Sequence, residues 1–151
     1  MKRKALAGMM SLVVMATVAV PVHAEEKTTT ISTSVESKYE LTIPATTEIA
    51  FNATSTNLNG ELKVTGNVKP NETVTVSAVK NKLENQDNKG AEIDFALKQG
   101  TGDFTSATWN ETELRGGAKA ISLSVAIEQS AWDSAKAGEY TGSIVFTAEL
   151  K

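Results

Sequence analysis

The chain has 151 residues, with fifteen Lys or Arg against eighteen Asp or Glu, one His and no Cys. Without thiols, disulfide staples, thiol nucleophiles, thiolate metal sites and a lipid-anchored cysteine are all excluded. The acidic balance, with no basic stripe, argues against nucleic-acid binding.

Residues 1–24 differ from the rest. Lys2, Arg3 and Lys4 form a positive start, Ala5 to Val20 carries no charge, and Val22 and Ala24 place small residues at the −3 and −1 positions of a cleavage site before Glu25. This is the pattern of a secretory signal peptide, and its apolar run is short of the roughly 20 residues a membrane span needs. All four Met and the single His fall in this segment. The expected mature chain, 25–151, has 127 residues, a formal charge of −6, and no Cys, Met or His. A single domain of that length buries roughly two-thirds of its unfolded surface, enough to fold without disulfides. The short leader and the Cys-free, Thr-rich remainder point to a bacterial protein, secreted or held non-covalently at the cell surface.

From Thr28 onward, β-branched residues alternate with polar ones, the period of a half-buried strand. In "ISTSVESKYELTIP" the odd positions run Ile31, Thr33, Val35, Ser37, Tyr39, Leu41 and Ile43, with a bend expected near Glu36–Lys38 and an end at Pro44. "TEIAF" reads as the next strand, with Ile49 and Phe51, and Asn59-Gly60 is the strongest hairpin signal in the chain. "ELKVTGNV" follows, with a bulge or close backbone approach expected at Gly66. "KPNE" turns the chain into "TVTVSAV", with Val74, Val76 and Ala78 inward, and "KNKLENQDNKG" reads as a polar loop. "AEIDFALK" alternates Ile93, Phe95 and Leu97, and "FTSATW" makes a short strand. "ETELRGGAK" reads as a loop, "AISLSVAIE" as a strand, and "SAWDSAKAG" as a single helical turn closed by Gly138. The last strand, "EYTGSIVFTAEL", alternates Tyr140, Gly142, Ile144, Phe146, Ala148 and Leu150.

Eight or nine short strands with frequent turn signals predict an all-β fold, an antiparallel β-sandwich of immunoglobulin type, with a barrel as the other option. The expected core draws on Ile43, Ile49, Val64, Val76, Phe95, Leu123, Val125, Ile144 and Phe146.

With neither His nor Cys in the mature chain, no catalytic, metal or cofactor residue is expected. Glu92 and Asp94 share a strand face and superficially resemble a carboxylate pair, but they read as a solvated outer surface. "NQDNKG", Asn85 to Gly90, resembles the opening of a calcium loop yet has Lys89 where an oxygen ligand belongs. Trp109 and Trp132 each sit beside a polar loop. Such a Trp either stacks on a sugar ring or anchors a partner, or else closes the end of the sandwich core, so both residues are candidates for a binding surface.

The closing phrase "AGEYTGSIVFTAELK" resembles the last strand of bacterial surface families with immunoglobulin-like folds: WxL-type domains, spore coat U-like domains and fimbrial subunits. The shared element is a small-residue–Gly–x–Tyr turn feeding a Thr-rich strand, matched by Ala137, Gly138, Tyr140 and Thr141 to Leu150. "YELTIPATTEIAF" is similar to the early strands of small secreted Firmicutes adhesins. The chain departs from the WxL pattern at Phe146, where that family has Trp, and at Trp109 and Trp132, which are followed by Asn-Glu and Asp-Ser.

The resemblance implies a non-enzymatic surface or secreted protein. It would act as an adhesin-like binding module or WxL-like component, taking a surface glycan or protein ligand, with no nucleic acid and no transmembrane anchor after signal cleavage. The alternative is a fimbria-like subunit that associates with other surface subunits by donating the strand at Thr28 to Val35. A simpler reading makes that segment the first strand of its own sandwich. A carboxylate-dependent glycan hydrolase is the enzymatic alternative.

Overall fold

The computed structural model describes residues 26–151; the expected signal peptide lies outside the described residues. The chain divides into two units, Met1–Thr33 and Ser34–Lys151. In the first, residues 26–33 form no strand or helix, and Ile31 is 92% exposed.

The second unit is all-β and sandwich-like. In chain order its strands are β1 (Lys38–Thr42), β2 (Ser55–Asn67), β3 (Thr73–Lys80), β4 (Leu83–Asn85), β5 (Glu92–Ile93) and β6 (Ala96–Gln99). They continue with β7 (Gly102–Asp103), β8 (Ser106–Asn110), β9 (Ala120–Ala126), β10 (Tyr140–Thr141) and β11 (Ile144–Leu150). Two one-turn helices interrupt them, α1 (Glu111–Gly116) and α2 (Gln129–Ser134). All pairings are antiparallel and fall into three sheets, ordered β1-β2-β9-β6-β7, β11-β3-β8 and β10-β4-β5.

Alternation does in three dimensions what it promises in sequence. Val74 and Val76 of β3 are fully buried, as are Leu62 and Val64 of β2, and these meet Leu97, Trp109, Ile121 and Leu123 in one core. Each such side chain contributes about 1.5–3 kcal/mol of burial free energy. On the outer face Thr75 and Thr108 stand opposite one another and share a 2.9 Å hydrogen bond. A second core gathers Ile93, Phe95, Val125 and Ile127, with Ile49, Trp132 and Tyr140 packed against it.

Several expectations are corrected. Of the long alternation beginning at Ile31, only Lys38–Thr42 is a strand; residues 26–37 form none, and so Thr28–Val35 is not the first strand of its own sandwich. Ile43, expected in the core, lies beyond the end of β1 and is 50% exposed. "TEIAF" is not a strand but a loop, because Thr47 accepts the Asn59 N–H (2.9 Å) and Asn59 donates its side-chain amide to the Thr46 carbonyl (2.9 Å). Those bonds sit where the Asn59-Gly60 hairpin was expected. Instead Gly60, at φ 91°, lies inside β2, where the register with β9 shifts between Asn57 and Glu61. A left-handed glycine thus makes a bulge rather than a reversal.

The close approach expected at Gly66 is present. A Cβ there would run into the Lys38 carbonyl and lie 2.8 Å from the Tyr39 Cα, so β1 can pair with β2 at this point only against glycine. "ETELRGGAK" holds a helix rather than only a loop. Asn110 accepts the Glu113 N–H, Glu113 returns a carboxylate to the Asn110 N–H, and Gly117 closes the turn at φ 61°. "AEIDFALK" and "EYTGSIVFTAEL" each change sheet midway: β5 and β6 belong to different sheets, as do β10 and β11. Among the described residues no helix is long and apolar enough to cross a membrane.

Candidate functional site

Of the two tryptophans proposed for a binding surface, Trp109 is not on a surface. The β3–β8 register sets it opposite Val74, its side chain is fully buried, and its indole N–H donates to the Lys119 carbonyl at 3.1 Å. The Lys119 ammonium sits 5.3 Å from the ring centroid and pairs with Glu113 at 3.0 Å, coupling the core to the α1 cap. The Asn110 N–H, and then Lys119, hold the Glu113 carboxyl below its usual range.

Trp132 is placed differently. It lies in α2, half-buried on the second core, and its indole N–H donates to the Ala53 carbonyl at 3.0 Å. That bond ties the helix to the turn at residues 50–53, where Ala53 donates to the Ala50 carbonyl (3.0 Å) and Asn52 adopts φ 63°. The turn presents Phe51, which stays 78% exposed while its ring meets Trp132 edge to face, with centroids 5.7 Å apart and planes at 78°. A groove of about 790 Å³ runs past these rings, lined also by Thr47, Glu48, Lys136, Glu139 and Tyr140. Phe51 and Tyr140 were not among the sequence candidates. The available signal was Phe51-Asn52, a large ring next to a residue that tolerates the left-handed region.

The far wall of the groove, residues 136–139, is held by Asn85. Its Oδ1 accepts the N–H groups of Asp87 (2.9 Å) and Asn88 (2.8 Å), and its Nδ2 donates to the carbonyls of Ala137 (3.2 Å) and Lys136 (3.4 Å). Gly138, at φ 141°, passes so close that a Cβ there would collide with the Asn85 amide. Gln86 donates its backbone N–H to the Glu139 carbonyl (2.8 Å), and Asp87 accepts the Glu139 N–H (3.0 Å). The calcium-like string Asn85 to Gly90 therefore uses its Asn85 and Asp87 oxygens on backbone N–H groups. Among the described residues no three His, Cys, Asp or Glu side chains converge as a metal site would require.

Glu92 and Asp94 are engaged by lysines. Asp94 pairs with Lys80 at 2.6 Å and Glu92 with Lys82 at 2.7 Å. The Lys80 hydrogen bond holds the Asp94 carboxyl below its ordinary range, while the Glu92 bond raises Lys82. A general acid at neutral pH needs a carboxyl shifted upward, so Asp94 moves the wrong way for that role. A second opening, about 300 Å³, lies between residues 43–49 and 142–146 and is walled by Ile43, Ile49, Phe95, Ile144 and Phe146.

No protein-family model and no curated protein sequence matches the chain.

Truncating Asn85 to Ala strands the Asp87 and Asn88 N–H groups and the Ala137 carbonyl, and leaves the Lys136 carbonyl with the Tyr140 hydroxyl alone. Asn85→Ala is expected to lower unfolding free energy in urea by about 2–4 kcal/mol. A loss below about 0.5 kcal/mol would show that the groove wall is held by something else.

Proposed function

We propose that this chain is an exported, non-enzymatic protein of the bacterial surface or medium, whose β-sandwich acts as an adhesin-like binding module or WxL-like surface component. Its ligand is taken in the groove beside Phe51 and Trp132. The observation that carries this reading is Phe51 itself. A phenyl ring 78% exposed contributes little to folding, yet the turn at Asn52 and the Trp132–Ala53 bond hold it in one place. A pre-ordered ring loses little entropy on binding, which is what an anchor residue requires.

Two measurements test this. Cell fractionation should recover the protein from medium or wall, and recovery from the cytosol contradicts export. On an array of glycans and matrix proteins, Phe51→Ala should bind the retained ligand about tenfold or more weakly, with an unchanged melting temperature because the ring is exposed. Equal retention by both proteins contradicts the groove as the site.

The second reading, a subunit that donates its N-terminal strand, is favoured by a separate observation. Residues 26–37 form no strand and alternate Ile31 (92% exposed) and Val35 (70% exposed) around Thr33, while among the described residues β11 has no strand on its outer edge. An extended segment of a second copy pairing with that edge would bring alternate side chains to the opening beside Ile144 and Phe146. Under this reading the intact protein sediments as multimers, and deletion of residues 26–34 leaves a folded monomer. A monomeric intact protein, or multimers that survive the deletion, rules it out.

A further inference from the structure

Resting on the groove reading above, we infer that the ligand at Phe51 and Trp132 is an uncharged oligosaccharide rather than an acidic glycan or a peptide. The two rings stand at 78° to one another, so an exposed aromatic surface lines the groove without being closed into a stack. Such a surface matches the C–H face of a pyranose, which is apolar on one side and ringed by hydroxyls. Those hydroxyls need acceptors at the rim, and the groove supplies them. Glu48 and Glu139 line it, both are exposed, and no hydrogen bond or ion pair among the described residues engages their carboxylates. A carboxylate left free to accept from a sugar hydroxyl makes a charge-assisted hydrogen bond, the stronger kind.

Charge selects within the sugars. The charged residues that line the groove are two acids, Glu48 and Glu139, and one base, Lys136, on a chain whose expected mature form carries −6 overall. A polyanionic glycan would meet the two carboxylates at the same rim where its own acid groups must sit, and close like charges disfavour it. A peptide is disfavoured by the backbone. The strand at the groove, β10, has two residues, Tyr140 and Thr141, too short an edge to hold an extended chain by main-chain hydrogen bonds. The volume, about 790 Å³, suits a few sugar units.

The test is a panel of cello-, chito- and manno-oligosaccharides, with oligogalacturonate and a casein digest as acidic and peptide probes, titrated against the intact protein and followed by tryptophan emission. An uncharged oligosaccharide is expected to bind and to shift the emission, with affinity unchanged between low and high salt. Phe51→Ala should weaken it about tenfold or more, and Glu48→Ala and Glu139→Ala several-fold. Because all three positions lie on the groove surface, circular dichroism of each variant verifies that the fold is kept. Binding of oligogalacturonate or casein peptides that is lost in Phe51→Ala overturns the sugar class but leaves the groove as the site. Uncharged sugar binding unaffected by Phe51→Ala overturns its placement, and binding of no probe overturns both.

Discussion

One side-chain amide organises the groove end of this molecule. Asn85 is the one buried polar side chain among the described residues, and all four of its hydrogen bonds go to backbone groups. Its oxygen curls the chain after β4 into a turn, and its nitrogen holds the connection between α2 and β10. A buried amide that is fully satisfied rigidifies its surroundings; half-satisfied, it would destabilise them. The neighbouring main chain is shaped to fit: Gly138 comes so near that only a residue without Cβ can pass. Without this tie, residues 136–139 would keep only the Gln86 and Asp87 bonds to the Glu139 backbone and the Tyr140 hydroxyl on the Lys136 carbonyl to position them.

The groove is thus built from two long-range constraints that converge. Asn85 sets one wall, and the bond from Trp132 to Ala53 sets the other by joining α2 to the turn that carries Phe51. Both rest on the second core, where Ile93, Phe95, Val125 and Ile127 pack behind Ile49, Leu83, Trp132 and Tyr140 of the groove lining. The first core, which includes the fully buried Trp109, contributes no residue to the groove lining. The two tryptophans thereby divide their labour. Trp109 spends its whole surface on the sandwich, whereas Trp132 spends half and keeps the rest for the groove. Exposed ion pairs such as Lys80–Asp94 and Lys82–Glu92 decorate the rim of the sheets, where the Lys80 bond lowers the Asp94 carboxyl and the Glu92 bond raises the Lys82 ammonium.

How much of this was legible in the sequence varies by element. Simple alternation located β3 and β9 because one face of each is wholly core, and Val74, Val76, Leu123 and Val125 declare it. Alternation failed where the chain changes sheet. Ile93, Phe95 and Leu97 are all buried, yet β5 and β6 belong to different sheets, and the period of two is blind to which sheet a strand joins. It failed again at Ile31 to Ser37, where the pattern is present but no partner strand among the described residues receives it. Asn59-Gly60 carried hairpin chemistry that β2 used for a bulge, because the flanking residues already had β9 to pair with. The helix at Glu111 was marked by Asn110 and Glu113, a capping box that a loop reading overlooked. The groove itself was half legible: Trp132 stood out, but Phe51 and Asn85 reach it only through the fold.

Amide hydrogen exchange tests the central claim most directly. Asp87 and Asn88 lie in an exposed, polar loop whose amides would ordinarily exchange rapidly. If the Asn85 side chain holds them, their N–H groups exchange nearly as slowly as those of Val74 and Val76 in the core, and the Glu139 N–H slows with them. Rapid exchange at Asp87, Asn88 and Glu139 in the folded protein would contradict the account, because the groove wall would then open independently of the amide said to hold it.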